Sequence, residues 1–212
     1  MSLSAEQIAK NRDEFLALLR TVDRPGIESL IDWLNNSDFF TAPASTKYHC
    51  NFAGGLCLHS LNVNKVLFKL LDSFDYKEIP NQSATVVALL HDISKANFYE
   101  ETVRNEKVYS PQGTKRDNLG TYEWVSKTAY KIKEAKDRFN FGSHSQESEY
   151  MLRYFIQLDL EESCAILHHM GPYDEETSQS ASLSVIFSKH PLATLLHAAD
   201  FIATHLLERD LE

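Results

Sequence analysis

Leu89-Leu90-His91-Asp92-Ile93-Ser94-Lys95-Ala96-Asn97 sets an imidazole and a carboxylate side by side within an otherwise apolar run. A buried carboxylate without a partner is costly, so this pair calls for one. A divalent cation satisfies both groups at once. The pattern over residues 84–94 predicts a helix, with Ser83 as its cap. Neighbours on a helix project about 100° apart. His91 and Asp92 can therefore approach one ion from two sides, or the carboxylate can bridge two ions while His91 holds one. Lys95 follows His91 by four residues, which on a helix is the same face. An ammonium there can hold a phosphate or another anion beside the metal.

Moving outward, helical spacing dominates. Ser4-Ala5-Glu6-Gln7 reads as a capped helix start, and Ile8, Phe15, Leu16, Leu18 and Leu19 continue it. Pro25-Gly26 breaks the chain, residues 27–34 read as a second helix, and Phe39-Phe40 as an aromatic turn. Residues 42–50 look like a loop around Pro43. After Gly54-Gly55, the apolar positions from Leu56 to Leu71 are too many and too helically spaced for a strand. Further helices are expected at about 146–157, 160–170 and 192–207. The polar stretch 98–141 differs. Gly113 and Gly120 signal turns, and Tyr109, Tyr122, Trp124, Val125, Tyr130 and Ile132 favour strands. It reads as a hairpin-like excursion, either a lid or a surface appendage. The expected fold is all-α, mainly helical, with this small insertion.

Composition narrows the function. The 212-residue chain carries a formal net charge of -9, and an acidic surface repels a phosphate backbone, so a long nucleic acid is a poor partner. A small phosphorylated molecule is not excluded, because metal ions supply local positive charge. Cys50, Cys57 and Cys164 form no CxxC pair, so neither a disulfide framework nor a thiolate zinc site is indicated. The N-terminus lacks a signal-peptide pattern, and no apolar stretch reaches spanning length. A cytoplasmic location without membrane association is expected; the oligomeric state is left open.

Five features concentrate the chemistry: His59, His91-Asp92, His144, His168-His169 and Asp200. A single histidine in an apolar helix is more often a hydrogen-bonded core residue. That reading weakens when the same kind of feature recurs on five segments of a chain with nine histidines. Imidazole and carboxylate donors suit Mn, Fe, Co, Ni or Zn better than Ca or Mg. No HExxH, P-loop or GxGxxG motif is present.

These blocks, in this order, resemble the HD superfamily, whose hallmark is His…His-Asp…Asp on helices. Gly54-Gly55-Leu56-Cys57-Leu58-His59-Ser60 looks like its first block and residues 89–97 like its second. Phe141-Gly142-Ser143-His144, with Glu147 and Ser148, is similar to the middle histidine block, although Ser143 interrupts the Gly-His of close relatives. Ile166-Leu167-His168-His169-Met170-Gly171 is similar to the next block, and the stretch from His190 through Asp200 to Thr204 to the closing aspartate helix. The resemblance implies an HD-domain-like helical bundle over residues 46–208 with an insertion at about 98–141. Residues 1–45 would be a helical extension packed on it.

The resemblance further implies His59, His91, Asp92 and Asp200 as ligands of a metal, with His144 and His169 as the added ligands of two-metal members and Asp92 as the bridge. His168 matches a position where some relatives use a second histidine and others have an aromatic residue. His197, three residues before Asp200, suits a supporting role; His49, His190 and His205 read as structural or surface groups. The expected activity is metal-dependent phosphohydrolysis of a nucleotide or short oligonucleotide, with one or two divalent transition-metal ions. Asp92 would hold the attacking hydroxide and Lys95 would neutralise phosphate charge. Two other readings share the residues: a mixed-valent di-iron oxygenase of the same superfamily, and a regulatory protein that binds metal and nucleotide without turnover.

Overall fold

The computed structural model describes residues 3–173 and 183–209. In chain order the helices are α1 (Ala5–Leu19), α2 (Ile27–Asn36), α3 (Gly55–Ser73), α4 (Asn81–Leu90), α5 (His144–Phe155), α6 (Leu160–His168), α7 (Leu183–Lys189) and α8 (Pro191–Ile202). Strands β1 (Tyr99–Tyr109), β2 (Lys115–Asp117) and β3 (Gly120–Ile132) interrupt them between α4 and α5. The fold is thus mainly helical, with one small sheet.

Helix α4 is the centre. Every residue from Ser83 to Leu90 is buried, and α1, α3, α6 and α8 all pack on it. A helix apolar on all sides has to be enclosed in this way. Helix α1 begins with the expected reciprocal cap: Ser4 Oγ accepts from the Gln7 N–H and Gln7 Oε1 accepts from the Ser4 N–H. Its Phe15, Leu16 and Leu19 join the same apolar core as Leu30 and Leu34 of α2, and Leu56 and Leu67 of α3. Among the described residues no helix is long and apolar enough to cross a membrane.

Several helix ends differ from the sequence reading, each for a local reason. Helix α4 starts at Asn81, behind Pro80. Ser83 is not its cap but a buried acceptor for the Arg24 guanidinium, at 3.2 Å. The helix stops at Leu90, short of Ser94, because the His91 ring takes over a backbone acceptor. Nδ1 of His91 lies 3.0 Å from the Ala88 carbonyl, which in a longer helix would bond the N–H of Asp92. A 3₁₀ turn, Ile93–Lys95, follows. The expected one-turn relation between His91 and Lys95 is therefore replaced by a turn that folds Lys95 over Asp92. Helix α6 stops at His168 in the same way, with His169 Nδ1 2.7 Å from the Ile166 carbonyl. Helix α5 begins two residues early because Ser143 occupies its N-cap position, its N–H bonded to Gln146 Oε1 at 3.2 Å. Residues 203–207, expected to continue α8, form a wide π turn.

The excursion is a twisted ribbon. Strand β1 pairs antiparallel with β3 from Tyr99↔Ile132 to Tyr109↔Tyr122, and β2 adds to the far edge of β3. Most of its side chains are exposed, but its root is not: Tyr99 is buried.

Candidate metal centre

The site gathers where α3, the end of α4, the start of α5, the end of α6 and α8 meet. His59 is on the second turn of α3 and Asp200 near the end of α8; their Nε2 and Oδ1 are 3.2 Å apart. His91 brings its Nε2 to 3.3 Å from that of His59. Asp92 stands between two groups of donors. Its Oδ2 is 3.5 Å from His91 Nε2 and 3.9 Å from His59 Nε2. Its Oδ1 is 3.5 Å from His144 Nε2 and 3.6 Å from His169 Nε2. The last two rings meet edge-on with Nε2 atoms 3.2 Å apart.

Tautomers follow from the partners. A backbone carbonyl only accepts, so the Nδ1 atoms that face the Ala88 and Ile166 carbonyls carry the protons on His91 and His169. In the neutral rings, both Nε2 lone pairs then point into the space beside Asp92. These carbonyls lie in the last turns of α4 and α6, where helices run out of N–H partners. Ending a helix at the histidine thus fixes the imidazole.

The electrostatics divide the rings: His91 and His144 are held towards the neutral form, His59 and His169 towards the charged one. Burial, with His169 and His59 nearby, pushes His91 down to about 4, against the pull of Asp92 and Asp200. Burial takes His144 down to about 3. His59 is driven the other way: burial opposes its charge, but Glu208 and Asp200 raise it to about 10. Burial also opposes charge on Asp92, yet Lys95 and His91 hold its carboxyl well below the usual range.

The donors fit a transition-metal ion. Asp92 is 2% exposed and its Oδ1 has no hydrogen-bond partner. A native interior rarely leaves such an atom unsatisfied. Two sets, His59-His91-Asp200 and His91-Asp92-His169, each bring their donor atoms within 4.8 Å of one another, and neutral imidazole with carboxylate is the chemistry of Mn, Fe, Co, Ni or Zn.

Of the residues expected here, His59, His91, Asp92, His144, His169 and Asp200 converge and Lys95 joins them, its Nζ 2.6 Å from Asp92 Oδ2. His168 does not: it is half-buried at the end of α6, lines no part of the cavity and joins none of the donor sets. Neighbours on a helix project about 100° apart, and here it is His169 that takes the inward position. His197 supports from behind, its Nδ1 donating to the His169 carbonyl at 2.7 Å. His190 is structural, paired with Glu161 at 2.7 Å.

A cavity of about 430 Å³ opens over the donors. His49 and His205, read from sequence as structural or surface groups, both line it, as do Tyr48, Tyr99, Tyr173 and Phe201. The loop holding His49 is tied by Ser45, whose Oγ donates to the His49 carbonyl and accepts from the Tyr48 N–H, each at 2.9 Å. Sequence reasoning also missed Glu208, which bonds His59. Aromatic residues in a loop, at a strand root and after a helix carry no common spacing, so no pattern pointed to this wall.

Fold and site define a helical protein with a buried histidine-aspartate donor cluster under an open cavity. The HD domain model matches residues 58–204, and the chain belongs to the HD-domain family, most of whose members are metal-dependent hydrolases. No curated protein and no solved structure matches the chain.

Proposed function

We propose that this protein is a metal-dependent phosphohydrolase that cleaves a phosphomonoester or phosphodiester of a nucleotide or short oligonucleotide. The observation that carries the reading is the convergence of imidazole Nε2 atoms on Asp92, whose Oδ1 is buried without a partner. His59, His91, Asp92 and Asp200 would hold one divalent ion, and Asp92, His144 and His169 a second. Such an ion supplies Lewis-acid polarisation of a phosphoryl oxygen and lowers the pKa of a bound water towards about 7.

The chain's own groups do the rest. Asp92 accepts a hydrogen bond from the attacking water through whichever lone pair it has free, which aims the nucleophile. Lys95 is 15% exposed at its side chain, so its ammonium reaches the cavity while anchored on Asp92. Burial would lower its pKa, but the Asp92 carboxylate raises it, and it stays charged. Its cation neutralises the phosphoryl oxygens as negative charge builds in the transition state. Among the described lining residues Lys95 is the only lysine or arginine, which favours a substrate with one phosphoryl group over a polyphosphate. Tyr48, Tyr173 and Phe201 give the outer wall ring faces suited to stacking on a nucleobase.

The test is metal analysis with product analysis, for inorganic phosphate from nucleoside monophosphates and for mononucleotides from cyclic nucleotides and dinucleotides, with Mn, Co or Ni supplied, in air and without oxygen. The expected outcome is turnover in both atmospheres that Asp92→Ala abolishes along with metal content. Turnover only with oxygen and iron would point to the oxygenase reading, for which the same six donors serve. Tight nucleotide binding without turnover on the whole panel would point to a regulator.

A further inference from the structure

His91 and His169 find the acceptor for Nδ1 in their own helices, because each sits just past the last turn. His59 cannot. It lies inside α3, where carbonyls are consumed by helical N–H groups. Its Nδ1 instead faces both oxygens of Glu208, each at 3.1 Å, from 149 residues along the chain. Glu208 is fully buried, and its Oε1 also accepts from Asn62 Nδ2 at 2.9 Å, one turn beyond His59 on α3.

The π turn at Ala203–Leu207 explains how Glu208 gets there. Asp200 and Glu208 are eight residues apart. On a regular α-helix that separation leaves them about 80° out of line. One extra residue absorbed in a wide turn, closed here by Glu208 N–H to the Ala203 carbonyl at 3.1 Å, makes eight residues rotate like about seven and returns Glu208 to within about 20° of Asp200. Both carboxylates then address one ring: Asp200 at Nε2 and Glu208 at Nδ1.

We propose that Glu208, beyond the 58–204 match, is a positioning residue. It holds the Nδ1 proton of His59 so that Nε2 is presented to the donor cluster. Its effect on metal binding rests on the metal-centre reading above, but the hydrogen bond itself does not. His49, whose ring centre is 4.7 Å from that of His59, makes with His59 and Glu208 a further set of closely spaced donors. An imidazole that gives Nε2 to a cation keeps its proton on Nδ1, however, and Glu208 is the acceptor for that proton.

Two readouts test this in the full-length protein. In metal-free protein, proton NMR should show a downfield, exchange-protected His59 Nδ1 proton that disappears in Glu208→Ala. In metal titrations with Co²⁺ and Zn²⁺, Glu208→Ala should weaken binding about 10- to 100-fold, while Glu208→Gln, which keeps an acceptor oxygen, should recover most of the loss. If Glu208→Ala does not fold, Glu208→Gln decides: a retained Nδ1 proton signal with a several-fold loss of affinity supports the proposal. Unchanged NMR signal and affinity in a folded Glu208→Ala protein overturn it, and so does unchanged affinity in Glu208→Gln when Glu208→Ala is unfolded. Loss of an extra metal equivalent in a Glu208 variant also overturns it, because Glu208 would then be a ligand. If the wild type binds no metal, the metal-centre reading fails, while the proton signal still judges Glu208.

Discussion

Lys95 Nζ and Asp92 Oδ2 stand 2.6 Å apart at the floor of the cavity, a contact created by the 3₁₀ turn that ends the central helix. It leaves Oδ2 shared between an ammonium and the imidazoles of His91 and His59, and Oδ1 free towards His144 and His169. The carboxylate is thus addressed from both sides, and the ammonium faces the open space where a substrate phosphate would lie.

Replacing Lys95 should separate binding from chemistry. Lys95→Ala keeps every imidazole and carboxylate donor, so metal content should stay at the wild-type level. The lost cation should lower kcat about 100-fold or more. Steady-state kinetics beside metal analysis of the same preparation checks this; a parallel loss of metal would instead make Lys95 part of the scaffold.

The two sides of Asp92 should also come apart. His144 and His169 approach Oδ1, whereas His59, with Asp200 beside it, approaches Oδ2. His144→Ala should therefore cost about one metal equivalent per chain and leave the other site filled, since removing one ligand weakens chiefly the ion it touches. Plasma emission spectrometry after dialysis measures it. Loss of all metal would show that the two sides bind as one.

A second buried pair governs acid stability. Arg24 makes two contacts to the fully buried Glu162, at 2.9 and 2.5 Å, joining the loop after α1 to the start of α6. Arg24→Ala strands the carboxylate and should cost about 3–5 kcal/mol. Burial, the largest single influence, acts to raise the pKa of Glu162, but the hydrogen bonds with Arg24, Ser83 and the Asp159 N–H, together with the Arg24 charge, outweigh it and the net shift is downward. A carboxylate with a depressed folded pKa contributes stability above its unfolded value near 4.5 and loses it as pH falls through the lower folded value. Urea midpoints measured from pH 7 down to 3 should fall steeply in the wild type. In Arg24→Ala the curve should start lower and fall less.

The ribbon beyond its root should be dispensable for small substrates. Tyr99 and Ile132 line the cavity and pair with each other, whereas Val103 and Thr128, paired farther out, sit in a largely exposed stretch. Joining residue 103 to residue 128 through an Asn-Gly turn preserves the register. Metal content should be unchanged and kcat/KM on a mononucleotide should stay within about threefold, as expected when no group near the reacting atoms is moved. A drop beyond tenfold would show that the outer strands close over the substrate.

The sequence was most informative where one local pattern encodes one local structure. The Ser4 cap, the apolar run of α3 and the adjacent pair at His91-Asp92 are legible because period and neighbours suffice. Helix ends were less so: α4 and α6 stop because a histidine ring takes a backbone acceptor, and ring direction has no signature in spacing. For the same reason the pair His168-His169 did not reveal which ring turns inward. Glu208 escaped altogether. Its place depends on a π turn that shifts the helical phase, and a reading at 3.6 residues per turn puts it on the wrong face.

The proposed chemistry stands on a cation held between His59, His91, Asp92 and Asp200. The most direct measurement is a crystal structure of the metal-loaded protein with anomalous scattering recorded at the metal's absorption edge. The prediction is an anomalous peak within about 2.0–2.2 Å of the nitrogens of His59 and His91 and the oxygens of Asp92 and Asp200. A peak located elsewhere, with these four donors bridged only by hydrogen bonds, would contradict it.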